Sequence, residues 1–157
     1  MSAELKTISI GMLGCGVVGS QVARLLQSDE QELSERSGAL LVLKKIGVRS
    51  NAAREGINPS MITTDLNSIV NDPEINIVIE VMGGIEPART LILEAIKNKK
   101  SVITANKALL ALHGDEIFRA AEEAGVNVMF EAAVAGGIPI ISSIKENLGA
   151  NNYSALY

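Results

Sequence analysis

Three glycines near the N-terminus have the spacing of a loop that binds the pyrophosphate of a dinucleotide. Gly14, Gly16 and Gly19 follow an apolar run at residues 7–13 and open a segment whose apolar side chains recur with the period of a helix. In such loops the first glycine allows a tight turn, the second lets the ligand approach the backbone, and the third lets the helix pack closely. The motif predicts a dinucleotide site held by the helix start, and a structural turn without a ligand is the alternative.

A basic residue stands where many dinucleotide sites carry an acidic one. That acid usually ends the second strand about 20 residues beyond the glycines and binds the ribose 2′-hydroxyl. Here the predicted second strand ends at Val48, Arg49 and Ser50. Arg49 can pair with a 2′-phosphate, and Ser50 can add a hydrogen bond. The pattern favours NADP, or use of both cofactors, over strict NAD, and a solvated loop arginine is the alternative.

Two further segments end predicted strands at the edge where open α/β sheets bind ligands. Gly83 and Gly84 follow the most strongly β-branched run, and Thr104 to Lys107 follow the next strand. A lysine at that edge can reach the nicotinamide ribose or a substrate oxygen, where its charge would stabilise a developing alkoxide. Spacing alone also allows Lys107 to be an ordinary surface lysine.

The segment 131–139, Glu-Ala-Ala-Val-Ala-Gly-Gly-Ile-Pro, has few bulky side chains. Such a loop can curl until several carbonyl oxygens converge, which suits a hard monovalent cation. A structural turn is the alternative.

The single histidine and the single cysteine offer no second reactive centre. His113 has neither a carboxylate nor another histidine placed to make it a base or a metal ligand, and we predict that it lies in a loop. Cys15 fills one of the unspecified positions of the glycine motif, and one cysteine excludes an internal disulfide framework.

The elements that must position these residues alternate between strand and helix. Strands are predicted at 7–13, 39–48, 75–82, 101–105 and 126–130. Helices are predicted from 17 and from 87, at 66–71 with Asp65 as the cap, and at 117–124 and 138–148. Polar connections are predicted at 29–38, as the solvated end of the first helix, and at 51–64. This alternation predicts one α/β domain over 1–150, a doubly wound parallel sheet of the Rossmann-like, NAD(P)-binding kind.

Composition excludes several classes of partner. The 157 residues carry a net charge of −4, which provides no general basic surface for nucleic acid. No apolar run approaches the roughly 18 residues that suggest a membrane span. The N-terminus has no signal-peptide pattern, so we expect a cytoplasmic protein that binds neither nucleic acid nor membrane.

Four motifs together resemble homoserine dehydrogenase. They are Gly-Cys-Gly-Val-Val-Gly at 14–19, Val-Met-Gly-Gly-Ile-Glu-Pro-Ala at 81–88, Val-Ile-Thr-Ala-Asn-Lys-Ala-Leu-Leu-Ala at 102–111 and Glu-Ala-Ala-Val-Ala-Gly-Gly-Ile-Pro-Ile at 131–140. The last three are far more specific than the glycine motif. The resemblance covers essentially the whole chain, but only the first domain of the family.

The resemblance implies reversible, NAD(P)-dependent interconversion of L-homoserine and L-aspartate 4-semialdehyde, in the pathway to threonine and methionine. The implied cofactor contacts are Gly14, Gly16, Val17, Val18 and Gly19 at the pyrophosphate, Arg49 at the adenosine ribose or its phosphate, and Thr104 and Lys107 near the nicotinamide. Lys107 also faces the substrate and is the one catalytic residue implied within this chain. A sodium-type ion is implied at Glu131, Val134, Gly136 and Ile138, held mainly by backbone oxygens.

Family members continue into a substrate and dimerisation domain that carries the principal acid–base residues. We expect residues 151–157 to begin that domain, the chain alone to bind cofactor without turnover, and the parent protein to be a homodimer. One alternative is a stand-alone NAD(P)-binding module with a regulatory or redox-sensing role. Another is a dehydrogenase of the glucose–fructose oxidoreductase type, although that group carries Glu-Lys-Pro where this chain has Ala105, Asn106 and Lys107.

Overall fold

Strands and helices alternate along the chain in the computed structural model, which describes residues 5–50 and 55–144. Runs rich in Ile, Val and Leu form the longer strands, and segments with apolar residues three and four apart form most of the helices. The strands are β1 (Lys6–Leu13), β2 (Ala39–Gly47), β3 (Ile62–Thr63), β4 (Ile77–Glu80), β5 (Ser101–Thr104) and β6 (Val128–Met129). The helices are α1 (Val17–Ser28), α2 (Glu30–Ser37), α3 (Asn67–Val70), α4 (Ala88–Lys97), α5 (Lys107–Ala124) and α6 (Ile140–Ser142), with 3₁₀ turns at Pro59–Met61 and Glu131–Ala133.

The strands form one parallel sheet in the order β3-β2-β1-β4-β5-β6. The chain runs outward from β1 to β3 on one side, and then adds β4, β5 and β6 on the other side of β1. The order therefore reverses between β1 and β4, where Leu13 pairs with Glu80. Open parallel sheets bind ligands outside the carboxyl ends of the strands at such a reversal. This arrangement confirms the predicted doubly wound, Rossmann-like α/β sheet.

Both faces of the sheet are buried beneath helices. Neighbouring side chains of a strand point to opposite faces, so Met12 packs in one core and Leu13 in the other, and Ile79 and Val78 divide in the same way. Residues of α3, α4 and α5 close the core around Leu13, and residues of α1 close the core around Met12. Burial on both sides explains why the strands are continuous aliphatic runs.

Helix α5 begins at Lys107, well before the predicted start at 117, so the prediction that His113 lies in a loop is wrong. Gly114, which follows His113, does not break the helix. It is buried, and a Cβ at that position would meet the Phe118 ring at 3.4 Å. A small residue is therefore accommodated by packing rather than by a turn.

Two elements were not predicted. The polar stretch 29–38, predicted as the solvated end of the first helix, forms a separate helix, α2. This helix is mostly exposed, and its Arg36 and Glu32 form an ion pair at 3.4 Å between successive turns. The stretch 51–64 contains β3, which has only two residues and pairs with the end of β2. Neither element has an apolar period, because one lacks an apolar face and the other is too short.

The other helix limits agree with the sequence more closely. Asp65, the predicted cap, accepts a hydrogen bond from the Ser68 N–H at 3.2 Å as α3 begins. Within the helix predicted at 138–148 the structure has α6, at Ile140–Ser142. Residues 145–148 of that prediction lie outside the described residues, as do residues 151–157. None of the helices in the described part of the chain is long and apolar enough to cross a membrane.

An ion cluster joins β2 to the loop that precedes β4, away from the carboxyl ends of the strands. The Asp72 carboxylate lies 3.1 Å from Lys44 Nζ and 3.0 Å from Lys45 Nζ, and Lys44 also contacts Glu74. A hydrogen bond from the Glu74 N–H, together with the two lysines, lowers the pKa of Asp72 from 3.8 to about 2. Buried Lys100 donates to two backbone carbonyls of the same loop, and burial lowers its pKa.

Candidate cofactor-binding site

The turn from β1 into α1 is so tight that two of its three glycines have no room for a side chain. Gly14 has φ = +104°, and a Cβ there would lie 2.8 Å from the Met82 backbone nitrogen. The Gly14 N–H donates to the Gly47 carbonyl at 2.8 Å. A Cβ on Gly19 would lie 2.6 Å from the Gly14 carbonyl oxygen and 3.1 Å from a Val81 methyl. The turn is therefore clamped between the ends of β2 and β4, and α1 starts directly beside the sheet.

The start of α1 is open to solvent. A Cβ on Gly16 would meet no atom of the described residues within 4 Å, and no described side chain caps the helix. Val17 and Val18 follow, with 85% and 56% of their surfaces exposed. The first N–H groups of a helix have no partner within it and carry the positive end of its dipole. Uncapped N–H groups beside exposed valines form a surface that an anionic ligand with apolar parts can cover.

A cavity of about 260 Å³ lies beside this helix start, between the ends of β1, β2 and β4. Leu66, Val81 and Met82 supply apolar walls, the glycine turn forms one side, and the exposed Arg49 also lines the cavity. Apolar walls suit a flat base, and a guanidinium suits a phosphate. The sheet thus brings the glycine motif and Arg49, which are distant in sequence, to one cavity.

A buried carboxylate lies at the end of β4. Glu80 accepts hydrogen bonds from the N–H groups of Met82 at 2.8 Å and Gly83 at 3.2 Å, and from the Thr104 hydroxyl at 2.6 Å. Thr104 in turn accepts from the Asn106 N–H at 3.0 Å. Both Glu80 and Thr104 are fully buried. Glu80 is not among the site residues predicted from the sequence, although an acidic residue within a β-branched run is a signal for it.

Lys107 is the exposed first residue of α5, directly beyond the end of β5. The Asn106 side chain caps this helix by accepting from the Leu109 N–H at 3.1 Å. A cation at the start of a helix opposes the helix dipole, so stability alone does not favour a lysine there. Lys107 also lines a cavity of about 310 Å³ with Phe118, Val134 and other apolar residues. Its place fits a role towards a ligand better than a role in the fold.

The small-residue segment after β6 passes through left-handed conformations at Ala135 (φ 55°) and Gly136 (φ 61°). The Glu131 carboxylate accepts hydrogen bonds from the N–H groups of Ile141 and Ser142, at 2.8 and 3.0 Å, and so ties the segment to the start of α6. Within the described residues, no group of three or more acidic, cysteine or histidine side chains could hold a metal ion. A cation here would therefore rest mainly on backbone carbonyls, which suit a hard monovalent ion.

His113 does have a carboxylate neighbour, contrary to the sequence analysis. Its Nδ1 lies 3.7 Å from Glu116, because helical residues three apart share a face. Arg89 of α4 holds the same carboxylate through its Nε at 2.7 Å. The Arg89 guanidinium lowers the pKa of Glu116, and Glu116 raises the pKa of Arg89. This group joins α4 to α5; along α5, His113 lies about 1.7 and Glu116 about 2.5 helical turns from Lys107.

The reversal of strand order, the glycine turn and the open helix start define a dinucleotide-binding domain of the Rossmann type. Residues 14–131 match the family model described as "Homoserine dehydrogenase, NAD binding domain". The chain belongs to the homoserine dehydrogenase family and corresponds to its NAD-binding domain.

Relatives and solved structures agree with this assignment. The chain is 51% identical over 152 residues to the homoserine dehydrogenase of Synechocystis, covering 96% of this chain and 35% of that protein. It superimposes with a TM-score of 0.87 on a crystal structure of homoserine dehydrogenase from Thiobacillus denitrificans, at 46% identity, covering 94% of this chain and 34% of that one. A hyperthermophilic archaeal homoserine dehydrogenase in complex with NADPH gives a TM-score of 0.73 at 25% identity, covering 91% and 50%. The chain spans about a third of the length of the curated relatives it matches.

Proposed function

We propose that this chain is the cofactor-binding unit of an enzyme that interconverts L-homoserine and L-aspartate 4-semialdehyde with NADPH or NADH. One observation carries the proposal: the uncapped start of α1 opens beside the cavity that the glycine turn and Arg49 line. The family assignment supports it, as does the relative solved in complex with NADPH. Calorimetric titration of the chain with NADPH and NADH tests it. Micromolar or tighter binding is expected, and binding of neither cofactor contradicts the proposal.

Different residues along the sheet edge would bind different parts of the cofactor. The N–H groups at the start of α1 would hold the pyrophosphate, with Gly16 leaving room for it and Val17 and Val18 covering it. Thr104 and Lys107 would lie towards the nicotinamide, which supplies or accepts the hydride when the cofactor is bound. The Lys107 ammonium would face the substrate oxygen and stabilise the charge that develops there.

The proposal includes a preference for NADPH. Arg49 is exposed beside the cavity and carries no carboxylate partner within 4 Å among the described residues. Its guanidinium can pair with the 2′-phosphate that only NADPH carries.

A monovalent cation such as sodium is proposed at Glu131, Val134, Gly136 and Ile138. The left-handed turn at Gly136 supports the site, and the described residues offer no cluster of three acidic, cysteine or histidine side chains, so a monovalent ion held mainly by backbone oxygens is the choice. The melting temperature measured in sodium chloride and in choline chloride tests the site. A higher melting temperature in sodium than in choline is expected; equal values contradict the site.

The rest of the catalytic machinery is proposed to lie elsewhere in the enzyme. The chain covers about a third of its relatives' length. The residues that bind homoserine, and the contacts of a homodimer, would lie in the part of the relatives that this chain does not match. Residues 1–150 would form the dinucleotide-binding unit, and residues 151–157 would begin the next unit. Full turnover of homoserine by the 157 residues alone would contradict this division.

The other two functional alternatives are less well supported by the family match. The family match opposes a dehydrogenase of the glucose–fructose oxidoreductase type and does not favour a stand-alone regulatory or redox-sensing module. A cytoplasmic location without nucleic-acid or membrane partners is also proposed, supported by the net charge of −4 and the single cysteine.

A further inference from the structure

Glu80 is a fully buried carboxylate that meets hydrogen-bond donors on both oxygens. One oxygen accepts from the N–H groups of Met82 and Gly83, and the other accepts from the Thr104 hydroxyl at 2.6 Å. Within residues 5–50 and 55–144, no basic side chain lies within 4 Å of this carboxylate. A carboxyl group buried without a basic partner is costly, so a fold that needed only stability would favour an apolar residue there.

The three hydrogen bonds tie together two loops at the carboxyl edge of the sheet. The loop after β4 is held at Met82 and Gly83, and the end of β5 is held at Thr104. The tie continues from Thr104 to Asn106, whose side-chain amide donates to the Gly84 carbonyl at 2.6 Å. The same side chain caps α5 through its oxygen. Asn106 thus closes a ring between the two loops.

This ring of hydrogen bonds fixes the position of Lys107. It follows Asn106 directly, and its own N–H donates to the Ala105 carbonyl at 3.1 Å. The cap at Asn106 fixes where α5 begins and therefore where the lysine leaves the backbone. Arg49 lies at the end of β2, on the other side of the strand reversal. A dinucleotide that crosses the reversal with its adenosine half at Arg49 has its nicotinamide half over β4 and β5.

From these contacts we infer that Glu80 is a positioning residue for the nicotinamide half of the cofactor, acting through Thr104 and Asn106 on Lys107. The inference rests on the proposed function. Glu80 itself does not contact the ligand. Its role is to hold the two loops between which the nicotinamide is bound. The adenosine half, at Arg49 and the glycine turn, does not depend on this ring of hydrogen bonds.

Glutamine cannot replace Glu80, although it has almost the same shape. All three contacts need an acceptor, and an amide offers one oxygen and one NH₂ group. If the NH₂ group faces Thr104, the threonine hydroxyl proton loses its acceptor. If it faces the other way, it opposes the N–H groups of Met82 and Gly83. Either orientation loosens one of the two loops.

The test compares each cofactor with its adenosine half. The chain is titrated with the cofactor that the wild type binds more tightly, and with the matching fragment, adenosine 2′,5′-bisphosphate for NADPH or ADP for NADH. In Glu80→Gln the affinity for the whole cofactor is expected to fall about tenfold, the equivalent of one lost hydrogen-bonding arrangement, with the fragment's affinity unchanged. A purely structural role would lower both affinities together or neither.

Thr104 supplies the second pair of variants in case Glu80→Gln does not fold. Thr104→Val removes the hydroxyl that Glu80 holds, and Thr104→Ser keeps it. The valine variant is expected to repeat the selective loss and the serine variant to restore most of the affinity. Lys100→Met, which removes buried hydrogen bonds at the opposite edge, is the control for lost stability and should bind both ligands as the wild type does.

The outcomes separate the two proposals. If the wild type binds neither cofactor, the proposed function fails and the role of Glu80 fails with it. If the wild type binds cofactor but the Glu80 or Thr104→Val variants bind it equally well, or lose cofactor and fragment in equal measure, the positioning role alone is overturned. If the fragment binds as before while the cofactor is lost, Glu80 acts on the nicotinamide half.

Discussion

The carbonyl oxygen of Gly14 lies 2.6 Å from the position that a Cβ on Gly19 would occupy. Gly14 cannot move freely, because its N–H is hydrogen-bonded to the Gly47 carbonyl and it lies against the backbone of Val81. The contact that packs α1 against the sheet also directs the first N–H groups of the helix towards the cavity. Both the stability of the fold and cofactor binding therefore depend on the close contact at Gly19. At Gly16 the Cβ position is open, so only cofactor binding depends on the absence of a side chain.

Substitution of Gly19 is expected to damage both properties. In Gly19→Ala the added methyl meets backbone that cannot yield, so α1 must shift and the free energy of unfolding should fall by about 1–3 kcal/mol. The displaced helix start should also bind NADPH more weakly. Urea denaturation followed by circular dichroism measures the first effect, and calorimetry measures the second. Wild-type stability in this variant would show that the packing at Gly19 is looser than the structure has it.

Substitution of Gly16 is expected to separate the two properties. Its backbone, with φ −82° and ψ −154°, is accessible to alanine, and the methyl would project into open space. Stability should change by less than about 1 kcal/mol, the scale of an altered helix cap. The methyl would occupy the approach to the pyrophosphate, so NADPH affinity should fall about tenfold or more. Unchanged affinity in calorimetry would place the pyrophosphate elsewhere.

Arg49 is expected to discriminate between the two cofactors. Arg49→Ala should weaken NADPH binding by roughly 1–3 kcal/mol, the range for a lost charge-assisted hydrogen bond, and leave NADH binding almost unchanged. Arg36→Ala is the matched control, because Arg36 is an exposed arginine of α2 that does not line the cavity. Equal losses for NADPH and NADH in Arg49→Ala would exclude a contact with the 2′-phosphate.

The parts of the site that the sequence predicts are those with a fixed local pattern. The glycine turn is recognisable because its spacing is imposed by the backbone contacts at Gly14 and Gly19. Lys107 is recognisable because it follows a strand, and parallel strands end at a common edge. The doubly wound sheet follows from the alternation of aliphatic strands with amphipathic helices.

The parts that the sequence does not predict depend on contacts between distant segments. The function of Glu80 arises from Thr104, which is 24 residues away in the sequence, and no local period indicates that pairing. Strand β3 has only two residues, and it is defined by their pairing with the end of β2, which is distant in sequence. His113 precedes a glycine and so looks like a loop residue, but Phe118 packs over that glycine within α5. Each error reflects tertiary packing that overrides local preference.

The ion cluster at Asp72 predicts how stability depends on pH. The folded pKa of about 2 lies below the ordinary value of 3.8, so the folded state holds the proton less tightly than the unfolded chain. The stabilisation is therefore complete above about pH 4 and is lost as the pH falls towards 2. The Asp72 side chain is only 10% exposed, and a shift of nearly two units corresponds to about 2 kcal/mol.

Asp72→Asn isolates this contribution, because the amide keeps an oxygen for the Glu74 N–H but loses the charge that Lys44 and Lys45 contact. Urea denaturation at pH 6 should show the variant less stable than the wild type by about 2 kcal/mol, and the difference should shrink towards zero near pH 2. Glu32→Gln, which removes an exposed ion pair, should change stability by less than about 0.5 kcal/mol throughout. A difference between Asp72→Asn and wild type that stays constant from pH 6 to pH 2 would show that Asp72 stabilises the fold by its shape and hydrogen bond rather than by its charge.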